Sequence, residues 1–500
     1  MSPASASDAP QGMQRKLVAG IVWALVPNLL VKPFWLLGIE VGVQNAVGAQ
    51  EYGFYFALFN LAYIFNILLD LGITNYNTRH IARFPHRVQS HLSGILCSKL
   101  LLLGLYLVVT FTVGLLLGYD ARQFRLLCWL TLNQFLNSLI LYLRSNLEGL
   151  LLFRADSLLS VLDRVLMIVI CGCLLWLPGG GGEAPFRIEW FVYAQTAAYL
   201  VATAVALGVV VRHTGWRRLR WSWPFTLSVL RRSLPFALLV LLMASYNRLD
   251  PILLRQLLPS GCGDGQAGIY AAAFRMLDAL TMVGYLVSVP LLPVYSRLLR
   301  REAGDELRDV TRLVSSLMLV FSVGAAVTLA SLSQPLMALF YQADTAAIAR
   351  VFGVLIFGLI PVTGTYIFGT LLTANGNLRQ LNTLAALSVV LSVVANVCLI
   401  PRFAAVGSAW ASLGVQTFMA VAQTALACRL FRLRPSGGYV LRLVGYVVAV
   451  VVANGLCASL PMWWHLAVVV TVCVAVSALL RLLPLRELRT LLPSASAEAD

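Results

Sequence analysis

The sequence predicts an all-α polytopic membrane protein of about fourteen transmembrane helices: two pseudo-symmetric six-helix bundles plus two C-terminal helices. Three observations carry that expectation. Apolar stretches long enough to cross a bilayer recur from Leu17 to Leu483. Hydrophobic residues make up 59% of the 500-residue chain and charged residues only 12%, well below the charged share of soluble domains. The connectors alternate between arginine-rich and arginine-poor, as the positive-inside rule expects of a chain threading a bilayer many times.

Taken in order, residues 1–16 form a cytoplasmic tail ending in Arg15 and Lys16. Crossings then begin near Leu17, Tyr52, Ser90, Phe124, Ser157 and Glu189, giving a first bundle over 17–211. Its first connector, from Glu40 to Glu51, carries no base, the second carries Arg79, Arg83 and Arg87, and the third only Arg122 and Arg125. Residues 212–232 form a cytoplasmic linker where Arg217, Arg218, Arg220, Arg231 and Arg232 interleave with Trp216, Trp221 and Trp223. Beside membrane helices that mixture reads as headgroup anchoring, not nucleic-acid binding. A second bundle over 233–430 has crossings starting near Ser233, Gly268, Thr311, Val351, Leu381 and Val406. Two more, near Val440 and Trp463, fill 431–483, and 484–500 is a second cytoplasmic tail. About 26 of the 37 lysines and arginines fall in cytoplasmic segments, about 5 in outer connectors and about 6 within helices. The net charge of +16 is therefore mostly a topology signal, with a secondary role in holding anionic headgroups. The nine cysteines are odd in number and form no CxxC pair, so they read as packing residues, with no metal site and no bound cofactor expected.

The chain repeats itself weakly. Gly53-Phe54-Tyr55-Phe56-Ala57-Leu58-Phe59 opens the second crossing and Gly268-Ile269-Tyr270-Ala271-Ala272-Ala273-Phe274 the eighth. Lys32-Pro33 in the first crossing matches Asp250-Pro251 in the seventh. Repeats an even number of helices apart share one orientation, which predicts bundles related by an axis along the membrane normal.

Ionisable groups inside a bilayer are costly and mark a cavity or a partner. Lys32 and Glu40 lie on the first crossing, Arg248, Asp250 and Arg255 on the seventh, and Arg275 and Asp278 on the eighth. Lys32, Arg248, Arg255 and Arg275 are the candidate cavity bases, suited to phosphate oxygens. Asp250, Asp278 and Glu40 are candidate coupling or pairing carboxylates. The competing readings are plain: Arg255 lies near the outer end of its helix and can snorkel, Glu40 can sit on the rim, and Asp250 and Asp278 can simply neutralise Arg248 and Arg275. Lys99 reads as snorkelling, Asp70 as a cap or partner of Arg79, and the adjacent Asp163 and Arg164 as facing apart. Pro33 and Pro251 each remove a backbone hydrogen bond and predict kinks, suited to helices that bend or merely to packing.

Three stretches resemble the polysaccharide (Wzx-type) flippases of the MATE-related MOP transporter superfamily. They are Glu51-Tyr52-Gly53-Phe54-Tyr55 through Leu69-Asp70-Leu71-Gly72-Ile73 to Arg79-His80-Ile81-Ala82-Arg83, then Gly268 to Leu277, then Ala374-Asn375-Gly376-Asn377 with Asn396, Ile400-Pro401 and Ala405-Val406-Gly407-Ser408-Ala409. The resemblance implies a bacterial inner-membrane protein, active in polysaccharide biosynthesis such as that of O-antigen lipopolysaccharide. It implies that an isoprenoid diphosphate-linked oligosaccharide is flipped between leaflets by alternating access. It further implies a cavity lined by the first, second, seventh and eighth crossings, and a groove for the tail on the last two. Membrane lipids and the polysaccharide polymerase machinery are the implied partners, and nucleic acid is not. Whether a proton or sodium gradient drives the step stays open. The alternative is a cation-coupled drug or metabolite exporter of the same fold, which calls for a more acidic cavity. A membrane enzyme is disfavoured because the connectors are too short to build a catalytic domain.

Overall fold

The computed structural model describes residues 31–74, 77–78, 81, 88–150, 152–176, 186–214, 223–259, 261–433 and 437–482. Both tails, the linker at 215–222, the turn at 178–182 and Arg79, Arg83 and Arg87 lie outside the described residues. Every regular element among the described residues is helical. The long ones are α1 (Val31–Leu69), α2 (Gly94–Leu116), α3 (Ala121–Gly149), α4 (Arg154–Trp176) and α5 (Ile188–Thr214). The bent pair α6 (Phe236–Arg248) and α7 (Asp250–Leu257) follows, then α8 (Cys262–Arg300) and α9 (Gly304–Ser331). A short α10 (Ser333–Phe340) leads to α11 (Thr345–Ala374), α12 (Leu378–Phe431), α13 (Gly437–Leu456) and α14 (Met462–Leu479).

Eleven of these helices are long and apolar enough to cross a membrane, or twelve with the bent pair counted as one span. Three of them, α1, α8 and α12, are longer than one crossing needs, and two of these carry an internal break. The 54 residues of α12 would extend about 80 Å as one helix, against a hydrocarbon core of about 30 Å. α12 is in fact two helices broken at Ala404 (φ 49°, ψ −130°), and α1 is broken at Gly48 (φ 81°, ψ 167°). Divided there, the described spans make the fourteen crossings of a polytopic membrane protein. Large apolar side chains stay bare on the outside, Leu116 at 81% and Leu441 at 73% exposure among them, as lipid contact requires.

The turns follow from local chemistry. Gly118 takes φ 71° ahead of α3, where Asp120 caps the helix. The Gln123 N–H donates to Asp120 Oδ1 at 2.8 Å, and the Asp120 N–H to Gln123 Oε1 at 2.6 Å, a reciprocal capping box. Asn375-Gly376-Asn377 is the stop of α11: Gly376 at φ 82° lets the N–H groups of Gly376 and Asn377 return to Thr373 and Leu372 carbonyls. The break in α12 is held by Ser408 Oγ donating to Asn396 Oδ1 at 2.8 Å, and only a glycine fits at 407 because a Cβ there would strike the Leu399 carbonyl.

The chain divides into two compact units, 1–268 and 269–500, with the division inside α8. In the first unit α5 packs on α3 and α4, and α1 on α3 and α7. Buried amides tie these helices: Thr196 Oγ1 donates to Asn133 Oδ1 at 2.7 Å and Asn66 Nδ2 to Gln134 Oε1 at 2.6 Å. In the second unit α11 packs on α9 and α12, while α13 and α14 pack on each other and on α9. Asn454 of α13 accepts from Ser331 of α9 at 2.7 Å and lies 3.0 Å from His465 of α14.

The glycines that open both repeats share one contact. A Cβ on Gly53 would collide with the Asp264 carbonyl and the Gly268 nitrogen, and one on Gly268 with the Ala49 carbonyl. The second half of α1 and the first turn of α8 therefore touch backbone to backbone, and Gln44 Nε2 adds a bond to the Gly268 carbonyl at 2.9 Å. Gly53→Val and Gly268→Val are each expected to lower the melting temperature of the purified protein by about 2–10 °C, the overpacking range. Gly208→Val, where nothing lies within 4 Å, should leave it unchanged. Equal melting of Gly53→Val and the parent protein would refute the contact.

Candidate functional site

The first half of α1 concentrates polar chemistry in the interior of the first unit. Pro33 has no N–H to give, and the next segment, Trp35–Glu40, winds as a π-helix. That wider turn aligns residues five apart, and Trp35 Nε1 donates to Glu40 Oε1 at 2.9 Å. The buried Trp35 ring stacks on Phe191 of α5 at 5.9 Å, with the Arg164 guanidinium 5.6 Å from its centroid. Arg164 also pairs with Asp163 at 3.5 Å. About two turns earlier on α4, Asp156 is gripped by Arg144 of α3 through Nε and Nη2 at 2.7 and 3.2 Å. Lys32 lies within electrostatic reach of Arg164, Arg144 and Asp163. Among the described residues it has neither a hydrogen-bond nor an ion-pair partner.

The second half of α1 is an aromatic ladder. Tyr52, Tyr55, Phe59 and Tyr63 follow one another with centroid spacings of 5.6, 5.8 and 6.0 Å. Gln195 and Phe191 of α5 fix Tyr55, the amide donating to its hydroxyl at 3.1 Å and the ring meeting it edge-on at 5.4 Å. Phe56, Phe59 and Tyr63 are only partly covered, and their three- and four-residue spacing puts them on one helix face. The Arg248 guanidinium closes this end, 5.0 Å above Tyr63.

At the other end Phe54 is held between two arginines, Arg122 at 4.6 Å and Arg255 at 4.9 Å from its centroid. Arg122 binds Glu51 at 2.7 Å and Glu189 at 2.9 Å, and Arg255 binds Asp264 at 3.0 Å. Arg255 also lies over the ring of Tyr119, 5.7 Å away, in the turn before α3. Burial pushes the Tyr119 hydroxyl up to about 12, against the opposing pull of Arg255. The hydroxyl therefore stays protonated at neutral pH. This end is a clasp joining α1, α3, α5, α7 and the start of α8.

The candidate residues are thus distributed. Lys32 and Glu40 share the polar interior with Arg144, Asp156, Asp163 and Arg164. Arg248 ends the ladder, and Arg255 belongs to the clasp. Asp250 is fully buried at the start of α7, with Pro251 after it where the helix bends by 49°. Arg275 and Asp278 fall in the second unit, where the buried Arg275 donates from Nη1 to the Tyr341 hydroxyl at 2.6 Å.

Two expectations need correction. Lys99 does not snorkel: it is fully buried, and its Nζ reaches Asp70 Oδ1 at 2.9 Å, Ser138 Oγ at 2.8 Å and the Leu69 carbonyl at 3.1 Å. Asp70 pairs with Lys99 and also caps as expected, accepting from the Thr74 N–H at 3.3 Å, while Arg79 lies outside the described residues. Asp163 and Arg164 do not face apart, because the long arginine side chain curls back onto its neighbour. The Arg144–Asp156 pair went unread. Both missed pairs join antiparallel neighbours at one depth, so matching charges by distance from the arginine-rich end would have found them.

With the site in view, comparisons identify its class. The sequence profile of the polysaccharide biosynthesis protein family matches residues 17–299. The chain belongs to that family, the one its resemblance to Wzx-type flippases indicated. No curated protein matches the sequence. Among solved structures, the lipid II flippase MurJ in an inward closed conformation aligns with a TM-score of 0.65 at 12% identity, covering 94% of this chain and 99% of that one. An inward-facing multidrug resistance MATE family transporter of the MOP superfamily aligns at 0.63 and 14% identity, covering 83% and 98%. A MOP superfamily transporter from Pyrococcus furiosus, described as having a binding pocket of reversed polarity, aligns at 0.58 and 13%, covering 83% and 96%. The fold is that of the MOP transporters, and the protein is a multi-pass membrane protein of the polysaccharide biosynthesis family.

Removing one partner of a buried ion pair strands the other. Lys99→Met should destabilise the purified protein by about 3–5 kcal/mol. Adding Asp70→Asn, which keeps an acceptor for the Thr74 hydroxyl that bonds Asp70 at 2.5 Å, should recover most of that loss in thermal unfolding. A double variant no more stable than the single one would show that the pair is not what holds these helices.

Proposed function

We propose that the protein flips an isoprenoid diphosphate-linked oligosaccharide across the bacterial inner membrane by alternating access, with both termini in the cytoplasm. One observation carries this reading. In the first unit the carboxylates Asp70, Asp156, Asp163, Glu51, Glu189 and Asp264 are each matched by a lysine or arginine, whereas Lys32 is a cation without such a match. An interior in which these six acids are neutralised and a base is left over suits an anionic headgroup, whose phosphate oxygens draw charge-assisted hydrogen bonds. A carrier of cationic cargo needs the opposite balance.

In this mechanism Lys32 and Arg248 of the first unit receive the diphosphate from the cytoplasmic side, and Arg275 is the candidate base of the second unit. The half-covered rings of Phe56, Phe59 and Tyr63 offer apolar faces to the sugars. The isoprenoid tail gains nothing by leaving lipid, so only the head passes through protein. The π-helical turn after Pro33 and the 49° bend at Pro251 let α1 and α7 flex during transport. Asp250, Glu40 and Asp278 are the carboxylates proposed to couple the step to a proton or sodium gradient. The product is handed to polysaccharide polymerase machinery.

Complementation of a deletion strain tests this. Lys32→Gln should lower surface glycan about 10–100-fold, the loss of one charge-assisted bond, with protein level unchanged and lipid-linked repeat units accumulating inside. Lys32→Arg should restore most of the export. Normal glycan in Lys32→Gln, or a deletion that alters only drug tolerance, would overturn the reading.

A further inference from the structure

The second unit contains an apolar groove that the transport reading does not use. Its volume is about 980 Å³, and it runs among α9, α11, α12 and the start of α13, walled by Met318, Leu319, Phe357, Phe368 and Leu413. That is the upper end of the range for small-ligand sites. Its mouth carries Arg308, Arg312 and Arg432 with the acid Asp309. These residues meet because α9 begins where α12 ends, and Arg308 Nε donates to the Phe431 carbonyl at 3.4 Å. From Arg308 to Leu319 the groove follows α9 inward for about 16 Å at the helical rise.

The three cations differ. Arg308 is occupied by Asp305, at 2.8 Å. Arg312 and Arg432 are exposed and have no partner among the described residues. Three residues on from Arg312, on the same face of α9, Ser315 lines the groove with a buried Oγ that makes no hydrogen bond. The sequence from mouth to floor is therefore two free cations, one unmet hydroxyl and an apolar slot. Basic pockets between transmembrane helices bind anionic lipid heads, and this order matches one.

We propose that the groove holds an anionic phospholipid, with its phosphate on Arg312 and Arg432, a glycerol ester oxygen on Ser315 Oγ and its acyl chains against Met318, Leu319 and Phe368. An isoprenoid diphosphate fits less well, because it has no oxygen below its phosphates to meet Ser315. The site is thus separate from the flipped cargo, and it makes α9, α11, α12 and α13 one lipid-dependent assembly.

Native mass spectrometry of the full-length detergent-purified protein, given equal phosphatidylglycerol and phosphatidylcholine, reads this directly. Phosphatidylglycerol should be retained about tenfold over phosphatidylcholine, and Arg312→Gln with Arg432→Gln should remove that preference. Thr424→Trp, which fills the slot without touching the arginines, should lower retention of both lipids at an unchanged melting temperature. Inorganic phosphate at equal concentration should displace neither lipid. Equal retention of the two lipids, an unchanged preference in the double arginine variant, displacement by inorganic phosphate, or preferential displacement by an isoprenoid diphosphate would each overturn the assignment.

Discussion

A charge in hydrocarbon costs several kcal/mol unless it is paired or hydrated, and that constraint organises the first unit. Lys99 is buried against Asp70, Arg144 against Asp156 and Arg164 against Asp163, with Arg255 and Arg122 held by carboxylates at the clasp. Each pair ties helices distant in sequence or stiffens a single one, and each removes a charge from the set available to a ligand. Lys32, beside the π-helical segment of α1, is a cation that this pairing does not consume, and the proposed function rests on it.

The aromatic ladder gives the same unit a second property. Tyr52 to Tyr63 line one helix with rings about 6 Å apart, and arginines stand at both ends. The stack is braced by α5 at Tyr55 and only partly covered at Phe56, Phe59 and Tyr63. The polar first half of α1 and the aromatic second half are separated by the break at Gly48. The helix that begins the fold is therefore also the one that carries most of its recognisable chemistry.

Much of this was legible before any coordinates. Crossing number followed from apolar length and arginine rhythm, because bilayer thickness sets both. The motif around Asn375-Gly376-Asn377 and the run from Asn396 to Ser408 mark turns, and their residues are the ones those turns require: positive φ at Gly376 and close backbone approach at Gly407. Gly53 and Gly268 stood out as openings of a repeat, but their mutual contact did not, since nothing in two short motifs says that they touch. The charged pairs were the largest omission. Lys99 looked like an interfacial base, and Arg144 carried no reading at all, because sequence gives depth but not rotation about the helix axis. Their partners become visible only when neighbouring helices are placed.

The most direct test places the purified protein in liposomes whose inner leaflet carries an isoprenoid diphosphate-linked oligosaccharide, with a membrane-impermeant glycosidase outside. Protein-dependent exposure of the sugar to the enzyme, slowed when Lys32 is replaced by glutamine, is the expected result. Sugar that stays protected in protein-containing liposomes as in empty ones, or exposure indifferent to the residue at position 32, would contradict a transporter built around an unpaired cation.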